Sequence, residues 1–314
     1  MIVPCHDGAG VKTETSALPL RLVTLNVRYA TQRPLEGEQP WRVRCPKVCS
    51  QLRFVATGQD GAFLCLQEVL HEQMLDIQGQ LNDSDDDEWT YIGQGRQDGK
   101  TAGEYSPIFY RPRLWSCEQS RMYWLSETPE RPSCGWDAAL ERVVTVGLFR
   151  HRATAQPVVV MSTHFDHLGV RARQESARLI LRIAHAWGRP AGSDSSSFSF
   201  LSRPVFLGGD FNSTPDDGAY KTMTAVPGGM VDIAGLVPPS RRYGNDEFTY
   251  TSFDEPDQTP KRIDFLFVQK PGHIRFPTFS VLANRFDDGV FLSDHRAVVA
   301  DIEIPVSSTA SSRP

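Results

Sequence analysis

The spacing of apolar residues along the chain predicts an α/β protein. Apolar runs of strand length recur throughout, and the clearest helix is predicted at 170–187, where Ala177, Ile180 and Ala184 recur at helical intervals. Other helices are predicted at 41–55, 71–81 and 215–223, and strands at 20–27, 62–68, 90–93, 107–110, 116–124, 142–150, 157–163, 247–251, 262–268, 276–282 and 297–304. Strands outnumber helices, and hairpin spacings are mixed with crossover spacings. This pattern favours a sandwich of mixed sheets over a parallel barrel.

The predicted elements form one continuous series without a break in composition that would indicate a linker. We therefore predict a single domain at 19–304, although 314 residues would also suffice for two domains. Residues 1–18 and 305–314 are rich in small and polar residues and are predicted to be flexible tails. A Ser-rich loop is predicted at 191–202.

Composition and charge narrow the class of protein. With 40% hydrophobic residues the chain can bury a substantial core, and a net charge of −5 disfavours a non-specific nucleic-acid binder with a basic face. The six cysteines are scattered, and Cys45 and Cys49 lack a second Cys or His pair at zinc-site spacing. We interpret them as reduced thiols of an intracellular, cytoplasmic protein, with a nuclear location left open. No signal peptide and no apolar run of transmembrane length is found, so no stable membrane insertion is expected.

The segment Gly208-Gly209-Asp210-Phe211-Asn212 is the most informative in the chain. It follows an apolar run, and residues two apart at the end of a strand point the same way. Asp210 and Asn212 would therefore converge on one spot, where a carboxylate can orient water and an amide can hold a phosphoryl oxygen. Asp and Asn are also common turn formers, so an ordinary strand ending is the alternative interpretation.

Polar residues suited to metal and phosphate chemistry end several other apolar runs. Each has an ordinary explanation as a turn residue, a helix cap, a core histidine or a surface carboxylate. Their recurrence over the whole chain instead indicates one site built at the strand ends of a rigid scaffold. These residues are Asn26, Glu68, His164, Asp264, Asp294 and His295.

The same residues resemble the endonuclease/exonuclease/phosphatase superfamily, which includes DNase I-like nucleases. The matching pieces, in the order of the family, are Leu25-Asn26-Val27, Leu66-Gln67-Glu68, Ser162-Thr163-His164, Gly209-Asp210-Phe211-Asn212, Arg262-Ile263-Asp264-Phe265 and Ser293-Asp294-His295. Further segments around Glu104, Trp136 and Asp166 resemble one poorly characterised bacterial and fungal branch. The resemblance implies a four-layer α/β sandwich, in which two packed mixed β-sheets are flanked by helices.

The resemblance also implies a cofactor and a set of roles. It implies Mg²⁺, with Mn²⁺ as a substitute, at a site of one or two ions that includes Glu68, Asn26 and Asp294. The catalytic set that it implies has Asp210 orienting a water, Asn212 holding the phosphoryl group, and His295 paired with Asp264. His164 would add a donor, with Glu104 orienting it. The expected substrate-binding residues are Arg28, Trp136, Arg142, Asp166 and His167.

The expected activity is hydrolysis of a phosphoester by a monomeric enzyme. The acidic chain lacks a run of alternating basic and aromatic residues, so a compact substrate, either a small molecule or a lipid headgroup, is favoured. The alternatives are a DNA or RNA endo- or exonuclease and a catalytically silent scaffold. The catalytic residues retained in the chain argue against the scaffold.

Overall fold

Two β-sheets pack face to face in the computed structural model, which describes residues 16–59, 61–83, 88–190, 203–245, 248–254 and 259–306. The helices are α1 (Trp41–Ala56), α2 (His71–Leu81), α3 (Val170–Gly188) and α4 (Gly218–Met223), with short 3-10 helices at Ile233–Leu236 and Pro239–Arg241. The strands are β1 (Ala17–Asn26), β2 (Phe63–Gln67), β3 (Thr90–Ile92), β4 (Ile108–Tyr110), β5 (Trp115–Trp124), β6 (Val143–His151), β7 (Pro157–His164), β8 (Val205–Asp210), β9 (Val231–Asp232), β10 (Arg242–Gly244), β11 (Asp264–Gln269), β12 (Phe279–Val281) and β13 (Val298–Pro305).

Each sheet mixes parallel and antiparallel pairs. The seven-stranded sheet has the order β10-β12-β13-β1-β2-β4-β3, with β1 parallel to β2 and antiparallel to β13. The six-stranded sheet has the order β5-β6-β7-β8-β11-β9, with β7 parallel to β8 and β11 antiparallel to β8. As a result, β1, β2, β7 and β8 all end, and β11 begins, at one rim of the sandwich.

Three apolar cores bind the layers together. The first lies between the sheets and includes Leu22, Phe63, Phe206 and Val298. The second joins α1 and α2 to the seven-stranded sheet, and the third joins α3 and α4 to the six-stranded sheet. Residues facing both ways along β1, β2 and β8 are buried because each sheet is covered on both faces. The predicted four-layer α/β sandwich is confirmed.

Several predicted boundaries are wrong, and each has a physical cause. Ala17 pairs with Pro305, so β1 and β13 extend into both segments predicted as tails. Helix α4 begins at Gly218 because Asp217 N–H donates to the Thr214 carbonyl in a turn. In the predicted strand at 247–251, the described residues form only isolated bridges at Tyr250.

Some predictions fall on residues that lie outside the described ranges. These are the flexibility of 1–15 and 307–314 and the loop at 191–202, which stay predictions. Among the described residues, no helix is long and apolar enough to cross a membrane.

Candidate active site

The sheet register brings the predicted site residues to one rim of the sandwich. Asn26 lies beside Gln67 at the ends of β1 and β2, and Glu68 follows at once. In the other sheet Asp210 lies between its neighbours in β7 and β11, His164 on one side and Asp264 on the other. Asp294 and His295 precede β13, which runs antiparallel to β1. Both sheets therefore contribute side chains to one cavity.

Asn26 is fully buried and connects the two sheets at this rim. Its Nδ2 donates to Glu68 Oε1 at 2.9 Å and to Asp210 Oδ2 at 3.0 Å. Its Oδ1 accepts from the backbone N–H of Arg28 at 2.9 Å. Asn26 thus positions both carboxylates, and its role as a metal ligand stays a prediction.

Four of the predicted residues have a left-handed backbone. Arg28, Glu68, Trp136 and Asn212 have φ values of 58°, 60°, 52° and 43°. Non-glycine residues adopt this conformation at a cost of about 1–3 kcal/mol, and such strain concentrates at functional sites. The strain at Glu68 is offset by hydrogen bonds to its carboxylate, including one from Tyr29 N–H at 3.1 Å. Burial alone would raise the pKa of Glu68, but hydrogen bonding from Asn26 and the charge of His295 lower it.

His295 and Asp264 form a buried pair. Nδ1–H of His295 donates to Asp264 Oδ2 at 2.8 Å. Burial alone would lower the pKa of His295, but the Asp264 and Asp210 carboxylates outweigh it and raise the pKa to about 10. His295 is therefore an imidazolium, and its Nε2 lies 3.7 Å from Asp210 Oδ2.

Asp210 is the most perturbed carboxyl group of the rim. Burial, together with the charge of Asp264, raises its pKa to about 7. Its Oδ1 accepts from Asn212 N–H at 2.9 Å, which fixes the orientation of the carboxylate. A carboxylate with a pKa near neutrality is suited to accept a proton at physiological pH.

His164 is buried and has a hydrogen-bond donor at each ring nitrogen. Arg142 Nη1 lies 3.0 Å from Nδ1, and Asn212 Nδ2 lies 3.0 Å from Nε2. Burial and the positive charge of Arg142 hold the pKa of His164 well below its usual value, so the ring is neutral. A neutral imidazole accepts through only one nitrogen. Because Arg142 only donates, Nδ1 accepts and Nε2 carries the ring hydrogen, and Asn212 Nδ2 also donates to the Phe165 carbonyl at 3.0 Å.

Among the described residues no hydrogen bond joins Glu104 directly to His164, and the orienting role expected of Glu104 stays a prediction. Its carboxylate accepts two hydrogen bonds of 2.8 Å from Arg96, in a bidentate pair. The distance from Glu104 Oε2 to His164 Nδ1 is 3.9 Å, and Arg142 occupies that nitrogen instead. Burial and the nearby Glu68 carboxylate raise the pKa of Glu104.

The five predicted substrate-binding residues separate into two groups. Arg28, Arg142 and His167 line the cavity, which has a volume of about 780 Å³. Trp136 and Asp166 are not among the residues that line it. Trp136 packs against the core beneath α3, because its neighbour Asp137 accepts the N–H groups of Arg171 and Ala172 at the start of that helix.

Asp166 does not line the cavity but contacts a residue that does, Arg142. Asp166 is buried and accepts from Leu168 N–H, from Gly169 N–H and from Arg142 Nε, the last at 3.4 Å. It therefore positions Arg142, whose Nη2 also donates to His167 Nδ1 at 3.1 Å.

Arg44 is a positioning residue that the sequence analysis missed. Its side chain is fully buried, and its guanidinium donates to the carbonyl groups of Val27, Arg28 and Leu292. These contacts join the segment after β1 to the segment that carries Asp294. In the sequence Arg44 lies on an amphipathic helix and has no pattern that distinguishes it from a surface arginine.

Other cavity residues were also missed. They come from loops whose approach depends on tertiary packing, and sequence spacing gives no signal for them. They are Tyr29, Leu35, Leu140, Arg173, Thr214, Asp217, Tyr250, Lys261 and Ile263.

The residues fit a divalent cation. Glu68, His164 and Asp210 present ligand atoms within 4.8 Å of one another, and Asp210, Asp264 and His295 form a second such group. In the second group Asp264 Oδ1 is buried without a hydrogen-bond donor among the described residues. In the first group the Glu68 and Asp210 carboxylates supply the oxygen ligands that a hard cation prefers. Asp294 lines the same cavity.

A two-sheet sandwich with carboxylates, histidines and asparagines at one rim defines the DNase I-like class of phosphoesterases. A model described as the Endonuclease/Exonuclease/phosphatase family matches residues 23–295, so the chain belongs to this family. It is therefore a hydrolase that acts on ester bonds, and its family depends on divalent metals. A search of curated proteins gave no match.

Solved structures agree with this assignment. An endonuclease/exonuclease/phosphatase from Bacteroides vulgatus is 32% identical with a TM-score of 0.77, covering 91% of this chain and 99% of that chain. The mannosyl-6-phosphatase Bt3783 of Bacteroides thetaiotaomicron is 28% identical with a TM-score of 0.76, covering 90% and 99%. D. rerio TDP2 complexed with a single-strand DNA product shares the fold at 15% identity and a TM-score of 0.64, covering 90% and 98%.

Proposed function

We propose that this protein is a Mg²⁺-dependent hydrolase of a compact phosphoester. The observation that carries the proposal is the arrangement around Asp210, whose carboxylate contacts Asn26, Asn212, His164 and His295 within one cavity. That arrangement supplies an acceptor for the proton of a water and several donors for phosphoryl oxygens. A compact substrate agrees with the cavity volume of about 780 Å³ and with the similarity to a mannosyl-6-phosphatase.

The proposed metal site is centred on the Glu68 carboxylate, and Asp294, which lines the same cavity, is available if a second ion binds. A bound divalent cation would supply Lewis-acid charge neutralisation at the phosphoryl group. Asn26 keeps the Glu68 and Asp210 carboxylates close together by donating to both. Without that shared donor, their mutual repulsion would favour separation or protonation.

Asp210 acts as the general base in this mechanism. It accepts a proton from a water that attacks phosphorus, and a pKa raised to about 7 makes that transfer favourable near neutral pH. The Asn212 N–H bond to Oδ1 leaves Oδ2 on the side that faces the histidines. The attack forms an O–P bond as the ester bond breaks.

Three side chains stabilise the charge that develops on the phosphoryl oxygens. His295, charged and fixed by Asp264, donates through Nε2–H. His164 and the amide of Asn212 both face the cavity, and an anionic oxygen between them would accept from both. Such an oxygen would lie between two donors that face each other at 3.0 Å, His164 Nε2–H and Asn212 Nδ2–H. Removing one donor of this kind typically reduces turnover by about 10²–10³-fold.

A substrate panel tests the proposal. The purified protein would be assayed with an aryl phosphomonoester, an aryl phosphodiester, plasmid DNA and RNA oligomers, with Mg²⁺, with Mn²⁺ and with EDTA. We expect metal-dependent hydrolysis of a small ester and little cleavage of nucleic acid. Efficient cleavage of DNA or RNA with a steep salt dependence would instead support a nuclease. Hydrolysis that persists in EDTA would contradict the metal dependence.

A further inference from the structure

One side of the active-site cavity lies beyond the residues assigned to the phosphoryl group. It is formed by His167, Arg173, Thr214 and Asp217, which line the cavity together. We call it the α3–α4 wall, because Arg173 lies in the first turn of α3 and Asp217 directly precedes α4. None of these residues has a role in the mechanism described above.

Arg173 and Asp217 line the same cavity from elements that pack closely together. A Cβ atom built on Gly218 would lie 3.6 Å from the Gln174 side chain, so α3 and α4 approach closely here. Arg173 directly precedes Gln174 in the chain, and Asp217 directly precedes Gly218. No ion pair within 4.0 Å joins Arg173 to a carboxylate of a described residue, and its Nη1 donates to the Asp166 carbonyl at 3.2 Å. The two side chains thus present opposite charges to the cavity without neutralising each other directly.

The hydrogen-bonding capacity of the wall is partly unused. Asp217 Oδ2 accepts from Thr214 N–H at 2.9 Å, whereas Oδ1 accepts from no residue in the described ranges. His167 Nδ1 faces Arg142 Nη2 at 3.1 Å, and since arginine only donates, Nδ1 must accept. The ring hydrogen of neutral His167 is therefore on Nε2, and the side chain is 46% exposed. The wall offers a carboxylate acceptor, guanidinium and imidazole donors, and the Thr214 hydroxyl.

We propose that the α3–α4 wall binds the hydroxyl groups of a sugar or polyol phosphate. A hydroxyl group both donates and accepts, so neighbouring hydroxyls match a wall that offers both a carboxylate acceptor and guanidinium and imidazole donors. The wall carries one guanidinium and one carboxylate, and Asp217 would repel a second phosphate group. The tyrosines of the cavity, Tyr29 and Tyr250, lie outside the wall, which itself carries no aromatic ring on which a nucleobase could stack. The inference rests on the proposed hydrolysis of a phosphoester.

The test compares two substrates that share a phosphomonoester and differ in hydroxyl groups. Values of kcat/KM would be measured for mannose 6-phosphate and for 4-nitrophenyl phosphate, with the Asp217→Asn and Arg173→Gln variants. Asp217→Asn keeps an oxygen for Thr214 N–H and replaces the other acceptor by a donor. The matched controls are Asp216→Asn and Arg171→Gln, because both residues are exposed and lie outside the cavity lining.

The inference predicts a loss that depends on the substrate. The ratio of kcat/KM for mannose 6-phosphate to that for 4-nitrophenyl phosphate falls about 10- to 100-fold in each variant, and mainly through KM. The control variants keep the wild-type ratio. Equal losses on both substrates, or no loss on either, would overturn the role of the wall.

Assays of the wild-type protein distinguish a failure of this inference from a failure of the proposed function. Hydrolysis of 4-nitrophenyl phosphate without any preference for phosphorylated sugars or polyols would overturn the binding role of the wall and leave the proposed function intact. An absence of phosphomonoester hydrolysis, together with cleavage of nucleic acid, would overturn both. Thermal unfolding of each variant shows whether a loss reflects binding or folding.

Discussion

His295 donates to Asp264 through a 2.8 Å hydrogen bond, and both side chains are almost fully buried. The pair lies directly beside Asp210, whose Oδ2 is 3.7 Å from His295 Nε2. The Asp264 carboxylate thus accepts from Nδ1–H of the imidazolium, while the Asp210 carboxylate lies near Nε2. This relationship makes the three residues a unit, and their contributions to catalysis should not be additive.

A double-mutant cycle tests the unit. We expect His295→Asn and Asp264→Asn each to reduce kcat by about 10²–10³-fold, because either change removes the charged donor. The double variant should be little worse than either single variant, since a residue positioned through another has no separate effect. The measurement is kcat with an aryl phosphoester. Losses that multiply in the double variant would show that Asp264 and His295 act independently.

Arg44 should be important for stability. Arg44→Met leaves the buried carbonyl groups of Val27 and Leu292 without their guanidinium donor, and each unsatisfied group costs about 1–3 kcal/mol, whereas the Arg28 carbonyl keeps a donor in Gln73 Nε2. We expect a loss of several kcal/mol in the free energy of unfolding, measured by urea denaturation. The neighbouring Arg42→Met change is the matched control because Arg42 is exposed. Equal stability of the two variants would contradict the role assigned to Arg44.

The Arg96–Glu104 pair gives a third prediction. Arg96→Met leaves the buried Glu104 carboxylate without its partner, and breaking such a pair typically costs about 3–5 kcal/mol. The double change Arg96→Met with Glu104→Gln removes the unpaired charge and should recover most of the lost stability. Thermal and urea unfolding of the three proteins measure this. A double variant as unstable as Arg96→Met alone would count against an unpaired charge as the cause.

Metal removal provides the fourth prediction. Treatment with EDTA should abolish hydrolysis reversibly, and Glu68→Gln should weaken Mg²⁺ binding because it removes a charged oxygen ligand. Isothermal titration of Mg²⁺ into metal-free wild-type and variant protein measures the binding without relying on activity. Glu72→Gln, on the exposed surface of α2, is the control. Mg²⁺ affinities that are equal in Glu68→Gln and wild type would exclude Glu68 from the metal site.

The rim of the site could be predicted because its residues lie at strand ends. Asn26, His164, Asp210 and Asp264 are terminal residues of their strands, and Glu68 follows β2 directly. The pairing of neighbouring strands then brings these strand ends together, independently of the conformation of the loops. A sandwich of mixed sheets could be predicted from the apolar runs and the mixture of hairpin and crossover spacings, whereas its four layers followed from the resemblance to the family.

The contacts between side chains could not be predicted in the same way. The sequence around Glu104 matches that of a family carboxylate. Its hydrogen-bond partner is nevertheless Arg96, which comes close to it because the intervening loop folds back. Trp136 is a conspicuous residue that packs against the core beneath α3 and does not line the cavity, while the inconspicuous Asp217 does line it. Sequence spacing cannot distinguish these cases, because both positions depend on how α3 and α4 dock.

Substitution of Asp210 by asparagine tests the central claim most directly. The carboxamide would retain the size of the side chain and an oxygen for the N–H of Asn212, but it could not accept a proton from water. With saturating Mg²⁺ and an aryl phosphoester, the account predicts a fall in kcat of about 10²–10⁴-fold in the Asp210→Asn variant, with unfolding unchanged or shifted to higher temperature. An Asp210→Asn protein that hydrolyses the ester at the wild-type rate would contradict the account.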